Sequence, residues 1–261
     1  MPFTPSHAVV ALAFRRSPLV PAAVAVGAMA PDLPLFVRTR VLSYAQTHAQ
    51  PLITIAIAAV LLLVWWLVLR PAVRELAPRW LAARLPKDWD AVGGAALGAV
   101  RPGPPALTVL VVAVSLAIGV LTHIAWDAFT HEGRWGVALI PALAEQWGPL
   151  HGYRWLQHAS SLLGLAGLAF AAVIWTRRRR AHSVARILPD AVRIAWWMSL
   201  PLALTVAWAI GLVQYGPLTA EWTAQHLAYR VLPPACAIWA GASVVLCVLV
   251  QIVRARRSAA E

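Results

Sequence analysis

Residues Thr122 to His131 read THIAWDAFTH and follow the uncharged apolar run PALTVLVVAVSLAIGVL. On a helix, His123 and Asp127 are i and i+4 and share one face, about 5–6 Å apart. If the helix continues, His131 lies one turn further along that side. Imidazole and carboxylate are the ligand types that suit zinc and related divalent ions. An ionisable group beside a membrane-length apolar run is costly and points to function by default. The competing reading is an interfacial His–Asp pair that caps the helix and meets water.

Three further segments place such a residue at one end. Asp32 closes the apolar stretch in GAMAPDLP, where it could also be a boundary residue or a cap for the next segment. His48 stands in QTHAQP, just before the next apolar run, where a lone interfacial histidine is the simpler reading. His7 stands in TPSHAVVALAF, where Ser6 or Thr4 could be an N-cap and His7 a bystander. Each signal is weak alone. Four apolar segments that each end in His or Asp make a stronger case for one metal site.

The elements that must position these residues are membrane helices. Of the 261 residues, 61% are hydrophobic and only 12% charged, against about 25% charged in a soluble domain. Five runs reach the roughly 20 residues a span needs: 52–69, 106–125, 159–176, 192–213 and 232–253. The expected fold is all-α, a polytopic helical bundle in which residues 1–261 form a single membrane domain. Residues 5–36 are apolar but broken by prolines and by Arg15–Arg16. They form either a sixth span or a re-entrant helix pair. Only the pair puts His7 on the same side as Asp32, and the breaks favour it. Residues 1–50 are thus read as an N-terminal helical hairpin carrying candidate ligands.

The net charge is +12. The basic residues flank apolar runs, as in Arg177 to Arg180, which favours membrane topology over nucleic-acid contact. Segment 70–104, the segment after the third span and the tail all face the cytoplasm on this rule. The first of these, with its prolines and GG pair, reads as a flexible cytoplasmic loop. Segment 126–158 is then an outer loop, and residues 38–51 also lie outside, against which Arg38 and Arg40 weigh mildly. His48, His123, His131, His151, His158 and His226 fall at or beyond the outer edge, and His182 inside. MPFTPSHAVV has no basic leader, so no cleaved signal peptide is expected. Cys236 and Cys247 form no CxxC or Cys–His pattern and imply neither disulfide nor thiolate metal site.

The stretches MPFTPSHAVVALAFRR, GAMAPDLP, THAQPL, SLAIGVLTHIAWDAFTHEG and YRWLQHASSLLGL together resemble the bacterial membrane-protein family called domain of unknown function 4184. That family is distantly similar to metal-dependent hydrolases of the bacterial inner membrane. More remotely, the ligand order resembles the zinc phospholipase C and P1 nuclease group. The resemblance implies metal ligation by His7, Asp32, His48, His123 and Asp127, with His131 at a shorter spacing than in the soluble enzymes. It also implies zinc as the ion. The soluble enzymes complete their cluster with a HxxxE pair, which neither His158 nor His151 supplies, so one or two ions are expected rather than three.

A site of this kind at the outer face of the inner membrane would meet phospholipid headgroups or other phosphoesters, and no nucleic acid is required. The expectation is a metal-dependent hydrolase of phosphoester or lipid-like substrates, with the C-terminus cytoplasmic. The alternatives are a non-catalytic membrane scaffold, or a metal or proton transporter. Arg134 and Arg154 are candidate phosphate contacts or exposed loop arginines, and Glu132 and Glu145 are unselected candidate bases.

Overall fold

The structure is a computed structural model that describes residues 3–38, 42–98 and 104–259. Arg40 and Arg101, counted in the charge argument, lie outside the described residues. The architecture is all-α apart from a two-residue antiparallel pairing of Gln146–Trp147 with Leu150–His151. Among the described residues, five helices are long and apolar enough to cross a membrane: Pro51–Leu76, Pro105–Thr130, Gly152–Arg177, Asp190–Tyr215 and Ala224–Arg257. They match the five apolar runs but extend past them at most ends. Hydropathy marks only the part that suits lipid, while backbone hydrogen bonding continues into the polar flanks. Leu162, Phe170, Val213 and Ile238 are each more than two thirds exposed, as lipid-facing side chains would be. These five spans make this a multi-pass membrane protein.

We label Thr4–Phe14 α1, a 3-10 helix, and Pro21–Met29 α2. Tyr44–Ala49 is α3, Pro51–Leu76 is α4 and Pro105–Thr130 is α5. Trp135–Leu139 is α6, Gly152–Arg177 is α7, Asp190–Tyr215 is α8 and Ala224–Ser258 is α9. The chain divides into two compact units. The first holds residues 1–33, 43–63 and 100–179, and the second holds 34–42, 64–99 and 180–261.

In the first unit, α1 and α2 are each too short to span a bilayer and pack against each other as a hairpin. Thr4 Oγ1 donates to Asp32 Oδ2 at 2.6 Å, so the segment begins and ends at the same place. Helix α2 lies against α5 at backbone distance. A Cβ on Gly119 would come within 3 Å of the backbone of α2, and one on Gly27 within 3 Å of Leu116 O. Gly119, four residues after Ser115 on α5, faces Gly27, four residues after Ala23 on α2. Such small-xxx-small stripes let membrane helices approach closely. Ser115 Oγ also accepts from Val20 N at 3.0 Å, which fixes the start of α2. On the other side, α1 rests on α7, where Phe3 N donates to Ser161 Oγ and Gly164 makes room for Ser6.

The second unit is built around a buried carboxylate. Glu75, 1% exposed, accepts from Arg193 Nη1 and Leu188 N, both at 2.8 Å, and from Ile187 N at 3.2 Å. Within α4, residues Trp65–Leu69 form a π-turn just before Pro71. Proline has no N–H to return to the carbonyl four residues earlier. The Leu67 and Val68 carbonyls instead accept from Gln251 Nε2 at 3.1 and 3.0 Å. Much of the segment read from sequence as a flexible loop is organised. Helix α4 runs on to Leu76, and Arg74 donates to the carbonyls of Ala82, Leu85 and Pro86.

Candidate metal centre

The face of α5 that packs on α2 carries Ser115, Gly119, His123 and Asp127 at four-residue intervals, all buried. The close crossing at Gly119 puts the Ala28 carbonyl within 2.7 Å of His123 Nδ1. A carbonyl can only accept, so Nδ1 carries a proton, and in the neutral ring Nε2 then keeps its lone pair for a metal. His48 is set the same way on α3: its Nδ1 lies 2.9 Å from Tyr44 O. Helix α3 begins with a capping box between Ser43 and Gln46. It is tied down by Thr47 Oγ1, which donates to Pro31 O at 2.7 Å and brings His48 beside Asp32.

Four residues, Asp32, His48, His123 and Asp127, each offer one ligand atom, and these atoms all lie within 4.8 Å of one another. His123 Nε2 is 3.4 Å from Asp127 Oδ2 and 3.6 Å from Asp32 Oδ1. His48 Nε2 is 3.5 Å from Asp127 Oδ2. These separations are long for hydrogen bonds. Donors about 2.0–2.1 Å from one tetrahedral ion stand roughly 3.4 Å apart. His48 Nε2, His123 Nε2, Asp32 Oδ1 and Asp127 Oδ1 are buried with no hydrogen-bond partner in the protein. Buried polar atoms are rarely left so. The group can hold a metal ion, and the donor set suits zinc.

The other two predicted residues reach the same place. His7 stacks on His123 with ring centroids 4.0 Å apart, and its Nε2 is 3.6 Å from Asp127 Oδ1. His131 directly follows α5 as its extended C-cap, with its Nδ1 3.0 Å from the Asp127 carbonyl. Its Nε2, like that of His7, is buried and unpartnered. Burial holds the His131 imidazole below its ordinary pKa, which leaves it neutral near pH 7. The cap readings do not hold: α1 has no side-chain N-cap, and the Thr4 hydroxyl goes to Asp32.

Sequence reasoning missed the supports. Tyr44 OH donates to Asp127 Oδ2 at 2.9 Å, and its ring lies 3.9 Å from that of His48. Burial and the Asp127 carboxylate both push the Tyr44 phenol pKa up, so it stays a donor. Its position one helical turn before His48 was the available signal. The remaining histidines lie elsewhere. His151 pairs with the Ala144 carbonyl, His158 is exposed, His182 meets Arg74, and His226 caps α9 with Thr223. Glu145 is exposed, and Glu132 accepts from Tyr153 OH.

No curated protein and no solved structure matches the chain. Residues 1–253 match the family described as Domain of unknown function (DUF4184), and the chain belongs to that family.

Proposed function

We propose that the protein is a metal-dependent hydrolase of phosphoester or lipid-like substrates at the outer face of a bacterial inner membrane. The observation that carries this reading is the buried set of unpartnered imidazole nitrogens and carboxylate oxygens around Asp127. Asp32, His48, His123 and Asp127 would hold one ion, and His7 and His131, both beside the Asp127 carboxylate, would hold another. A divalent ion held there supplies Lewis-acid activation of water at neutral pH. Paired ions bridged by one carboxylate suit displacement at phosphorus.

The membrane side follows from charge. Basic residues concentrate after the first and third spans and in the tail, which assigns those parts and the C-terminus to the cytoplasm. The segments carrying His48 and His131 then face outward, at headgroup level. The domain arrangement read from sequence, one membrane domain with an outer 126–158 segment, belongs to the same proposal.

One observation favours a second reading. Two histidines and two aspartates already make a complete tetrahedral set, and structural zinc sites are closed in this way. A membrane scaffold with a structural ion would use the same four residues. Hydrolysis of bis(p-nitrophenyl) phosphate by metal-loaded protein, compared with Asp127→Ala, separates the two. The hydrolase reading expects activity that disappears with the metal. A metal-replete wild type inactive on this and on phospholipid micelles supports the scaffold.

A further inference from the structure

Helix α5 ends at Thr130, and the chain turns back at once through Gly133, whose φ of +71° is open to glycine. Arg134 follows as the N-cap of α6. That short helix is pinned against the end of α5, because a Cβ on Gly136 would meet the Ala128 backbone within 3 Å. The turn lays the Arg134 guanidinium over the Tyr44 ring, 5.9 Å from its centroid. Tyr44 in turn donates to Asp127. The guanidinium thus stands beside the metal centre, one aromatic ring away.

Arg134 is half-buried, yet among the described residues its side chain has no carboxylate or hydrogen-bond partner. The other buried or half-buried arginines among the described residues all have one. Arg70, Arg84, Arg186 and Arg254 donate to carbonyls, Arg74 to three carbonyls and Asp90, and Arg193 to Glu75 and Asp190. A guanidinium has five donors in a planar fork that matches phosphate oxygens. With no carboxylate or carbonyl in the protein to fill it, that fork is free to take an anionic group arriving at the centre. Arg154, the other arginine singled out by the sequence, is exposed on α7 and meets none of the cluster.

We infer that Arg134 is the phosphate-binding residue of this site, holding the non-bridging oxygens of a phosphate group against the metal centre. This rests on the proposed hydrolase reading and deepens it. Two divalent ions bound there would outweigh the charges of the Asp32 and Asp127 carboxylates, and Arg134 would add a further positive charge from the Tyr44 side.

The test uses the full chain in detergent, loaded with zinc and freed of excess ion. Inorganic phosphate, and separately phosphatidylglycerol in mixed micelles, are titrated into wild type, Arg134→Gln and Arg134→Lys. The proposal expects binding by wild type, at least tenfold weaker binding by Arg134→Gln, partial recovery in Arg134→Lys, and unchanged zinc content in all three. Response to free phosphate assigns a site for soluble phosphoesters, and response to the lipid alone assigns a headgroup site. If Arg134→Gln binds as tightly as wild type while wild type hydrolyses phosphodiesters, the role of Arg134 is overturned and the hydrolase reading stands. If zinc-loaded wild type binds neither probe, both fall.

Discussion

His123 Nε2 and Asp127 Oδ2 stand 3.4 Å apart on one buried face of α5, long for a hydrogen bond and at the spacing of two ligands on one ion. Asp127 is the hub of the centre. His7, His48, His123 and His131 all come within 3.6 Å of its carboxylate, and Tyr44 donates to it. Asp127→Asn keeps the shape but removes the charge. It is expected to lower zinc affinity at least tenfold, measured by chelator competition, while circular dichroism stays unchanged.

The groups that orient the ligands should matter nearly as much. Thr4→Val removes the donor to Asp32, and Tyr44→Phe removes the donor to Asp127. Partners of this kind are worth about 10–100-fold in metal affinity. Each variant is expected to fall in that range while remaining folded. Affinity equal to wild type in both would mean that these contacts do not tune the ligands.

The crossing at Gly119 positions His123 by bringing the Ala28 carbonyl to its Nδ1. Gly119→Val forces α2 and α5 apart, because the neighbours are backbone atoms that cannot rotate away. Overpacking of this sort costs about 1–3 kcal/mol. A lower melting temperature in detergent and lost zinc are expected together. Gly94→Val, where a Cβ would meet nothing, is the control and should retain both.

Metal binding should weaken in acid. Histidine binds a metal only when neutral, so protons compete with the ion as the pH falls through the histidine range near 6.5. Because burial lowers the His131 pKa, that residue stays available to lower pH than a free imidazole. One histidine ligand alone lowers the affinity roughly tenfold between pH 7.5 and 5.5, so zinc affinity is expected to drop by at least that, read by competition with a chelator of known pH dependence. A flat profile would argue against histidine ligation.

The second unit offers an independent test of fold energetics. Glu75→Gln leaves Arg193 buried beside a neutral group, and breaking a buried ion pair costs about 3–5 kcal/mol. Asp190 still neutralises part of that charge, so the lower end is expected. A melting temperature within a degree of wild type would show that the network contributes little.

Six ligand candidates were legible because His and Asp are rare in apolar sequence and each stood at the end of a run. The five spans were legible because lipid demands length and composition that little else produces. The hairpin of α1 and α2 was readable only as one of two options. It depends on Thr4 meeting Asp32, a contact between residues 28 apart that has no periodic signature. Gly119 stands one turn before His123 and Tyr44 one turn before His48, so both supports shared a helical face with a ligand. Their roles still depended on which backbone or side chain lay opposite. Glu75 and Arg193, separated by 118 positions, paired across the chain with no local cue.

The most direct test of the metal centre is elemental analysis of detergent-purified protein, wild type beside the double variant His123→Ala/Asp127→Ala, with folding checked by circular dichroism. The proposed metal centre predicts one to two equivalents of zinc or a similar divalent ion in wild type and none in the folded variant. No metal in wild type, even after incubation with zinc or manganese, would contradict it.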